Sequence, residues 1–185
     1  GIDAAKGEFI IFLDSDDYLD CDLVRKCIER QKKNDVDCVV YNRHRVDDLG
    51  NYVKEDHAWV NRLSGSQIEN KCIDDDGTQT FIGWDVAGWR KFMRLDYLKQ
   101  NKIYFLEEHR YFEDHYFSAK LYLSKVRFSY IDEKLYYYRK RSSIKNKSIT
   151  QLDSLEVRIY KSRALRDVCL LIESFDHKYK NIFYP

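Results

Sequence analysis

The sequence lacks the features that mark several large classes of protein. Its five cysteines include no Cys-x-x-Cys pair, so a zinc site and a disulfide framework are both disfavoured, and a reducing cytoplasm is expected. No stretch approaches the roughly 18 consecutive apolar residues that a membrane-spanning helix requires. The formal net charge is only +1, whereas proteins that bind nucleic acid normally carry a clear basic excess. We therefore expect a cytoplasmic globular protein with no nucleic-acid partner.

The sequence does contain enough apolar and aromatic residues for one domain with a substantial core. Hydrophobic residues make up 44% of the 185 residues and charged residues 34%, a balance that is typical of globular proteins. The 15 tyrosines, 10 phenylalanines and 3 tryptophans give an aromatic fraction of 15%. Two interpretations are open: these rings fill the core, or several of them line a saccharide site and stack on the apolar faces of sugar rings.

An acidic cluster directly follows the most apolar run of the chain. Residues 8–13 read Glu-Phe-Ile-Ile-Phe-Leu without alternation, which predicts a strand buried on both faces. Asp14, Asp16 and Asp17 come next, and ligands of open α/β sheets bind beyond the carboxyl ends of strands. Such closely spaced carboxylates repel one another unless a cation compensates them, and Mg²⁺ or Mn²⁺ would do so together with phosphate oxygens. An ordinary acidic helix N-terminus is the alternative interpretation.

The residues around this cluster provide a further indication. Residues 1–19 read GIDAAKGEFIIFLDSDDYL, with a Gly-Ile, an Ala-Lys-Gly and an Asp-x-Asp in that order. This stretch resembles family 2 glycosyltransferases of the GT-A fold. An EF-hand is disfavoured, because Tyr18 and Leu19 stand where it needs an oxygen ligand and a glycine. A magnesium-dependent phosphatase of the haloacid dehalogenase (HAD) type, with Asp14 as nucleophile and Asp16 as acid, is the alternative enzyme, although Asp17-Tyr18 replaces its usual small pair.

A second acidic pair, Glu113-Asp114, opens a predicted helix and is flanked by aromatic residues. A carboxylate in such a position can act as a general base with a tunable pKa, but an acidic pair alone is usually an ordinary helix cap. The family resemblance implies that Asp114 is the catalytic base and that Glu113 contributes to acceptor binding. Trp89 begins a Trp-x-Lys-hydrophobic-x-Arg pattern that is similar to the family's, and it is implied as part of the acceptor site.

A third segment combines tyrosines with positive charge. Residues 135–144 read LYYYRKRSSI and resemble the Tyr-Tyr-Tyr-Arg segment of the family, which is followed by Ser-Ile. The clustered Arg139, Lys140 and Arg141 would suit a diphosphate or an anionic lipid carrier, but a solvated edge strand is an equally good interpretation. The resemblance implies that Arg139 binds the donor together with Asp14, Asp16 and Asp17, and that Asp16 binds the metal.

These patterns predict an α/β fold, namely the GT-A fold of nucleotide-diphospho-sugar transferases. We expect a mostly parallel central sheet with residues 9–13 at its centre and helices on both faces. Residues 1–150 would form the metal and acceptor half of the domain, without its N-terminal nucleotide-binding strands. Residues 151–185 would form an amphipathic C-terminal helix and tail packed on it. The predicted helices are 23–33, 84–100, 112–124 and 154–175, and the predicted strands after the first are 36–46, 126–131 and 135–139.

The resemblance implies an inverting glycosyltransferase of the hexosyltransferase type, although this part alone is expected to bind acceptor poorly and to be inactive. A sugar would move from a nucleotide-diphosphate donor, expected to be a UDP-sugar, to a hydroxyl of a saccharide or lipid-linked saccharide. Bacterial surface polysaccharide synthesis is the implied setting, in the cytoplasm or at the inner face of the membrane. There the basic face of the C-terminal helix would make a peripheral contact with anionic lipid. A non-catalytic sugar-binding remnant is the alternative that is not an enzyme.

Overall fold

The computed structural model describes residues 1–54, 65, 67–76, 78, 82, 85–141, 154–175 and 179. Its strands are β1 (Phe9–Ile11), β2 (Tyr18–Leu19), β3 (Cys38–Val46), β4 (Lys91–Arg94) and β5 (Phe128–Arg139). Its α-helices are α1 (Leu23–Asn34), α2 (Leu95–Gln100), α3 (Glu113–Leu123) and α4 (Leu155–Phe175). Short 3₁₀ turns are formed by Ile2–Ala4 and Gly88–Arg90.

The strands form one sheet in the order β1-β4-β3-β5-β2. The central pair, β3 and β5, is parallel and extends from Cys38 beside Phe128 to Val46 beside Arg139. The pairs β1–β4, β3–β4 and β2–β5 are antiparallel. Among the described residues the sheet is therefore mixed rather than mostly parallel, and β1 lies at one edge rather than at the centre.

Helices cover both faces of this sheet, as the sequence predicts. On one face, Leu23 and Cys27 of α1 pack against Val39 of β3 and Phe92 of β4. On the other face, α2, α3 and α4 contribute to a larger core cluster with Cys38, Val40 and Phe128. The apolar run lacks alternation because β1 is partly buried on both faces, although the run continues beyond the strand to Leu13, which is 49% exposed. An apolar run without alternation indicates that both faces of a strand are covered. It does not indicate whether the neighbouring strand is parallel or antiparallel.

The helices α1, α3 and α4 agree with the predicted segments. In α1 the fully buried Leu23 and Cys27 and the buried Gln31 recur every four residues, which places them on one face of the helix. The helix ends where Asp35 adopts a left-handed conformation with φ 48°. Helix α4 adds Val168 and Ile172 to the core shared with α3, which places it against the rest of the domain.

Two predicted elements differ from the structure. Where one helix is predicted over residues 84–100, the chain forms the 3₁₀ turn 88–90, then β4, then α2. Where a turn is predicted at residues 132–134, β5 continues, and a register irregularity beside Asn42 accommodates the extra residues. Those three charged residues are exposed, so a strand with a local bulge keeps them in water as well as a turn would.

Candidate active site

A cleft of about 810 Å³ opens where four parts of the fold meet. Its walls are the residues that follow β1, the segment that leads into β4, the start of α3 and the end of β5. Segments that are far apart in sequence thus meet at one place. The predicted site residues that line the cleft are Asp14, Asp16, Trp89, Glu113, Asp114 and Arg139.

Asp14 and Asp16 lie at the end of the cleft that follows β1. The pKa of Asp14 is raised to about 6; partial desolvation of its carboxyl is the largest cause, although the residue as a whole is exposed. The charges of Asp17, Asp16 and Glu113 raise the pKa of Asp14 further. Asp16 Oδ2 accepts a hydrogen bond from Arg141 Nε at 2.8 Å. This end of the cleft therefore contains an excess of carboxylate, only part of which is compensated by an arginine.

Asp17 does not line the cleft, and its carboxylate is hydrogen-bonded to β5. Its Oδ2 accepts a hydrogen bond from the Tyr136 hydroxyl at 2.8 Å, and its Oδ1 accepts one from the Arg139 backbone N–H at 2.7 Å. Both carboxylate oxygens thus hold the loop after β1 against β5. Desolvation raises the pKa of Asp17, while these two hydrogen bonds lower it.

Glu113 and Asp114 begin α3 on the opposite side of the cleft. The preceding residue, Phe112, has the left-handed conformation with φ 63°, which is unusual for a bulky side chain and turns the chain directly into the helix. Asp114 is half-buried, and its pKa is raised to about 7 by desolvation first and by the charge of Glu113 second. The charge of Lys91 and a hydrogen bond from the Gly88 backbone N–H act in the opposite direction. A carboxylate with a pKa near 7 is well suited to accept a proton at neutral pH.

Trp89 forms the flat wall of the cleft together with tyrosines of β5. Its ring centroid lies 4.6 Å from that of Tyr136 and 5.6 Å from that of Tyr138, with both pairs stacked. Tyr136 and Tyr138 therefore lie on the same side of β5, and Tyr137 stacks on Tyr18 on the other side of the strand. Such an aromatic wall can pack against the apolar face of a sugar ring.

Three arginines add positive charge to the cleft. Arg139 is partly buried, and its guanidinium lies 5.9 Å from the centre of the Tyr18 ring. Arg141 lies beside it at the acidic end, and Arg110 lies on the loop before α3. Arg141 thus faces the carboxylate of Asp16, whereas the Arg139 guanidinium lies beside Tyr18 and donates to the Asp48 carbonyl at 3.4 Å. Two arginines at this end of the cleft can bind an anionic group such as a diphosphate.

The residues at the acidic end suit a hard divalent cation. Mg²⁺ and Mn²⁺ are bound by one or two carboxylates plus the oxygens of substrate phosphates, and Asp16 supplies a carboxylate beside the anion-binding arginines. Within the described part of the chain, the one group of three side chains with metal-ligand spacing is Asp20-Cys21-Asp22, outside the cleft. Three consecutive residues at the start of α1 are an ordinary acidic helix start.

Several residues of the cleft were not singled out by the sequence. His115 lines it; burial lowers the pKa of its imidazole, and its Nδ1 has no hydrogen-bond partner among the described residues. Gly88 lies in van der Waals proximity to Asp114. Beneath it, the fully buried Asp85 is ion-paired with Arg90 and Lys91. Asp85 does not belong to a recognisable sequence motif. The left-handed conformation of Phe112 could not be predicted either, because in a sequence only glycine and asparagine normally indicate that conformation.

Comparison with known proteins agrees with this geometry. Residues 1–100 match the model of the family described as Glycosyl transferase family 2. This chain belongs to that family.

Curated relatives extend the match beyond residue 100. Glycosyltransferase GlyG of Streptococcus pneumoniae serotype 4 is 26% identical over 150 residues, which cover 77% of this chain and 47% of that protein. The putative glycosyltransferase EpsH of Bacillus subtilis is 28% identical over 142 residues, covering 75% of this chain and 39% of that protein. The poly(ribitol-phosphate) beta-N-acetylglucosaminyltransferase TarS of Staphylococcus aureus is 29% identical over 143 residues, covering 72% and 21%. The chain therefore spans less than half the length of these relatives.

Solved structures confirm the fold. The structure of S. aureus TarS 1–349 in complex with UDP-GlcNAc superposes with a TM-score of 0.74 at 22% sequence identity, covering 98% of this chain and 48% of that chain. The complex of the same protein with UDP gives a TM-score of 0.70. The expected glycosyltransferase fold, an α/β sheet with helices on both faces, is thus confirmed, although the sheet is mixed rather than mostly parallel.

Proposed function

We propose that this chain supplies the metal-binding and acceptor-binding part of an inverting glycosyltransferase. The observation that carries the proposal is that one cleft contains a half-buried carboxylate with a raised pKa, Asp114, and the carboxylates that follow β1, Asp14 and Asp16. A transferase needs both: a base for the acceptor hydroxyl and a site for the leaving diphosphate. Family membership favours this activity over the HAD-like phosphatase, in which Asp114 would have no part.

Asp114 would accept the proton of the acceptor hydroxyl as that oxygen attacks the anomeric carbon of the donor. The bond to the diphosphate breaks on the opposite side of that carbon, which inverts its configuration. Trp89 and Glu113 would orient the acceptor, the ring by stacking and the carboxylate by accepting hydrogen bonds from sugar hydroxyls. Arg139 and Asp14 would contact the donor, and Asp17 would act on it only through the position of Arg139.

Asp16 would hold Mg²⁺ or Mn²⁺ together with the donor phosphates. A bound divalent cation would neutralise the charge that develops on the leaving diphosphate. Arg141 balances Asp16 through the ion pair at 2.8 Å, and its guanidinium could bind a phosphate oxygen once Asp16 coordinates the cation.

The donor and acceptor classes follow from the relatives. The TarS structures contain UDP-GlcNAc and UDP, which supports a UDP-sugar donor for this chain. The name of TarS specifies a bacterial polymer, poly(ribitol-phosphate), as the acceptor, which supports a role in surface polysaccharide synthesis. A saccharide or a lipid-linked saccharide is the proposed acceptor class here.

We also propose that the protein works at the inner face of the membrane. Within the described residues, no helix is long and apolar enough to cross a bilayer. A peripheral contact is supported by α4, whose outward face exposes Leu155 and Ile159 next to Arg163 and Arg166. Apolar and basic side chains on one face suit an interface with anionic lipid.

The proposal is tested by calorimetric titration of the full-length protein with UDP, with and without Mn²⁺. We expect UDP binding that depends on Mn²⁺ and is lost in Asp16→Ala. Asp22→Ala, which removes an exposed carboxylate outside the cleft, is the matched control and should bind UDP as the unmodified protein does. Asp114→Asn should keep UDP binding and lose transfer from the sugar donor.

The outcomes separate the alternatives. If UDP binding loses its dependence on Mn²⁺ in Asp22→Ala but not in Asp16→Ala, the metal site lies outside the cleft. Transfer that survives in Asp114→Asn would remove Asp114 as the base. A protein that binds a saccharide but neither UDP nor any other nucleoside diphosphate, with or without metal, would be the non-catalytic remnant.

A further inference from the structure

Helix α3 is joined to the segment before β4 by a ladder of three polar contacts. The Asp114 carboxylate lies against Gly88, with Oδ1 2.7 Å from the position of a Cβ atom added there, and the Gly88 N–H lowers the pKa of the carboxyl. One helical turn further on, Ser118 Oγ donates to the Val86 carbonyl at 2.6 Å. After another turn, the Tyr122 hydroxyl donates to Asp85 Oδ2 at 2.5 Å. Residues 114, 118 and 122 are spaced by four and lie on one face of the helix, so the three contacts form a row along it.

The far end of this ladder is anchored in the core. Asp85 Oδ1 accepts from Arg90 Nη1 at 3.0 Å, and Asp85 Oδ2 lies 2.8 Å from Lys91 Nζ. All three side chains are fully buried. Lys91 Nζ also donates to the Ala87 carbonyl at 2.8 Å, which closes the chain around the turn. Because buried charges are held in place by their partners, segment 85–91 is a rigid support for whatever contacts it.

At the near end of the ladder, Gly88 leaves just enough space for the Asp114 carboxylate. A Cβ atom added at this residue would lie 2.7 Å from Asp114 Oδ1 and 3.3 Å from Cζ of Phe105. The first distance is shorter than side-chain carbons tolerate, and the carboxylate is held between the peptide of Gly88 and the body of α3. The Gly88 backbone has no left-handed φ, so the absence of a side chain here matters for space and not for conformation.

We propose that Gly88 is a positioning residue for the Asp114 carboxylate. Because Gly88 has no side chain, the carboxylate can lie against its backbone at the near end of the ladder. The inference rests on the proposed function in so far as it gives Asp114 the role of base. The positioning contact itself is independent of the reaction. The contact also places Asp114 next to the segment that carries Trp89, which follows Gly88 directly.

The charge of Asp114 depends on this contact. Glu113 on its own helix and Asp14 across the cleft disfavour the ionised carboxylate, whereas Lys91 of β4 and the Gly88 N–H favour it. Displacing the carboxylate from the N–H removes one of its two stabilising neighbours and leaves both repelling charges. The ionised form then becomes harder to reach at neutral pH.

The experiment is a ¹³C NMR titration of the full-length protein labelled at its aspartate carboxyl carbons, with the Asp114 resonance assigned by its loss in Asp114→Asn. In Gly88→Ala we expect Asp114 to titrate about 1 pH unit higher than in the unmodified protein, the equivalent of one hydrogen bond to a charged group. Transfer, followed as UDP release from UDP-GlcNAc, should fall on the order of 100-fold in kcat, because the base is misplaced. Ser118→Ala, which removes the next contact of the same ladder, is the matched control. It should leave the titration of Asp114 unchanged.

The double variant Gly88→Ala/Phe105→Leu distinguishes the two neighbours of the added methyl group and also serves if Gly88→Ala alone does not fold. A double variant in which Asp114 titrates normally would overturn the proposal, because the ring and not the carboxylate would have been displaced. An equal shift in Ser118→Ala would overturn it too, since general loosening of α3 would then be the cause. If Asp114→Asn keeps full transfer activity, Asp114 is not the base. The titration of Asp114 in Gly88→Ala still tests whether Gly88 positions its carboxylate.

Discussion

Asp16 and Asp17 are neighbours in sequence, but their carboxylates have different surroundings. Asp16 meets one partly exposed arginine, whereas Asp17 receives two hydrogen bonds at 2.7 and 2.8 Å from β5. The Tyr136 hydroxyl and the Arg139 N–H are partly buried, so removing Asp17 takes the acceptor from both donors, and the Tyr136 oxygen keeps only the hydrogen bond that it accepts from the Asp14 N–H at 3.3 Å. The first carboxylate is therefore available for a ligand, and the second stabilises the fold.

Asp17→Ala should lower the free energy of unfolding by about 1–3 kcal/mol, the usual cost of leaving a buried hydrogen-bonding group unsatisfied. Asp16→Ala, one residue away, should change it by less than about 1 kcal/mol, because a partly exposed ion pair contributes little. Urea denaturation of both variants measures the difference. Equal losses in the two variants would mean that the hydrogen bonds from β5 do not stabilise the loop.

Asp114→Asn should stabilise the protein at alkaline pH while it removes the base. The pKa of Asp114 is about 7 in the folded chain and 3.8 as the ordinary value, so the folded state binds the proton more tightly. Stability contributed by this group therefore falls as pH rises through the window from 3.8 to 7, and asparagine does not titrate. In thermal unfolding, the Tm of the variant should be higher than that of the unmodified protein at pH 8. The difference in Tm should become smaller as the pH is lowered towards 4. A gap that widens as pH falls would contradict the raised pKa.

The sequence was informative at this scale where the chemistry leaves a local pattern. Asp14, Asp16 and Asp114 stand in short motifs, and the structure brings them to one cleft. The role of Gly88 could not be predicted, because it depends on how closely α3 approaches the turn 85–88. That distance is set by packing across segments that are distant in sequence.

At the scale of elements, segment 85–94 departs most from the sequence pattern. Trp89, Phe92 and Met93 recur at helical spacing, which favours an amphipathic helix with its charged residues in water. Instead both cations are fully buried around Asp85, and β4 joins the middle of the sheet. From the local sequence, charged residues are expected at the surface. Cations can be buried only when the fold brings a carboxylate close to them, and the local sequence does not show that carboxylate.

Asp85→Ala should therefore destabilise the protein by about 3–5 kcal/mol, since it leaves two buried cations without their anion. The loss of the Tyr122 contact adds to the effect. Asp96→Ala is the control: it removes an exposed carboxylate paired with Arg94 and should cost less than about 1 kcal/mol. Chemical denaturation compares the two. A small effect at Asp85 would show that water reaches the buried cations when the carboxylate is removed.

At the scale of the whole molecule, the outward face of α4 is a feature of the described residues that the cleft does not use. The inward face carries Val157, Ala164, Val168, Leu171 and Ile172 and is buried. The outward face leaves Leu155 at 76% and Leu170 at 56% exposure, with Arg163 and Arg166 between them. Amphipathic packing against α3 explains the inward face but not the exposed leucines, whereas a lipid surface would bury the leucines and attract the arginines.

The full-length protein should therefore sediment with vesicles that contain phosphatidylglycerol and remain in solution with vesicles of phosphatidylcholine alone. Arg163→Glu/Arg166→Glu should reduce sedimentation several-fold, because each basic residue near an anionic surface contributes about 1 kcal/mol. Lys32→Glu/Lys33→Glu at the exposed end of α1 makes the same change in net charge elsewhere and should bind as the unmodified protein does. If both double variants lose binding equally, overall charge and not the face of α4 attracts the vesicle. If neither does, and Leu155→Ser/Leu170→Ser also has no effect, α4 is not the contact, because neither its charge nor its apolar surface would then contribute.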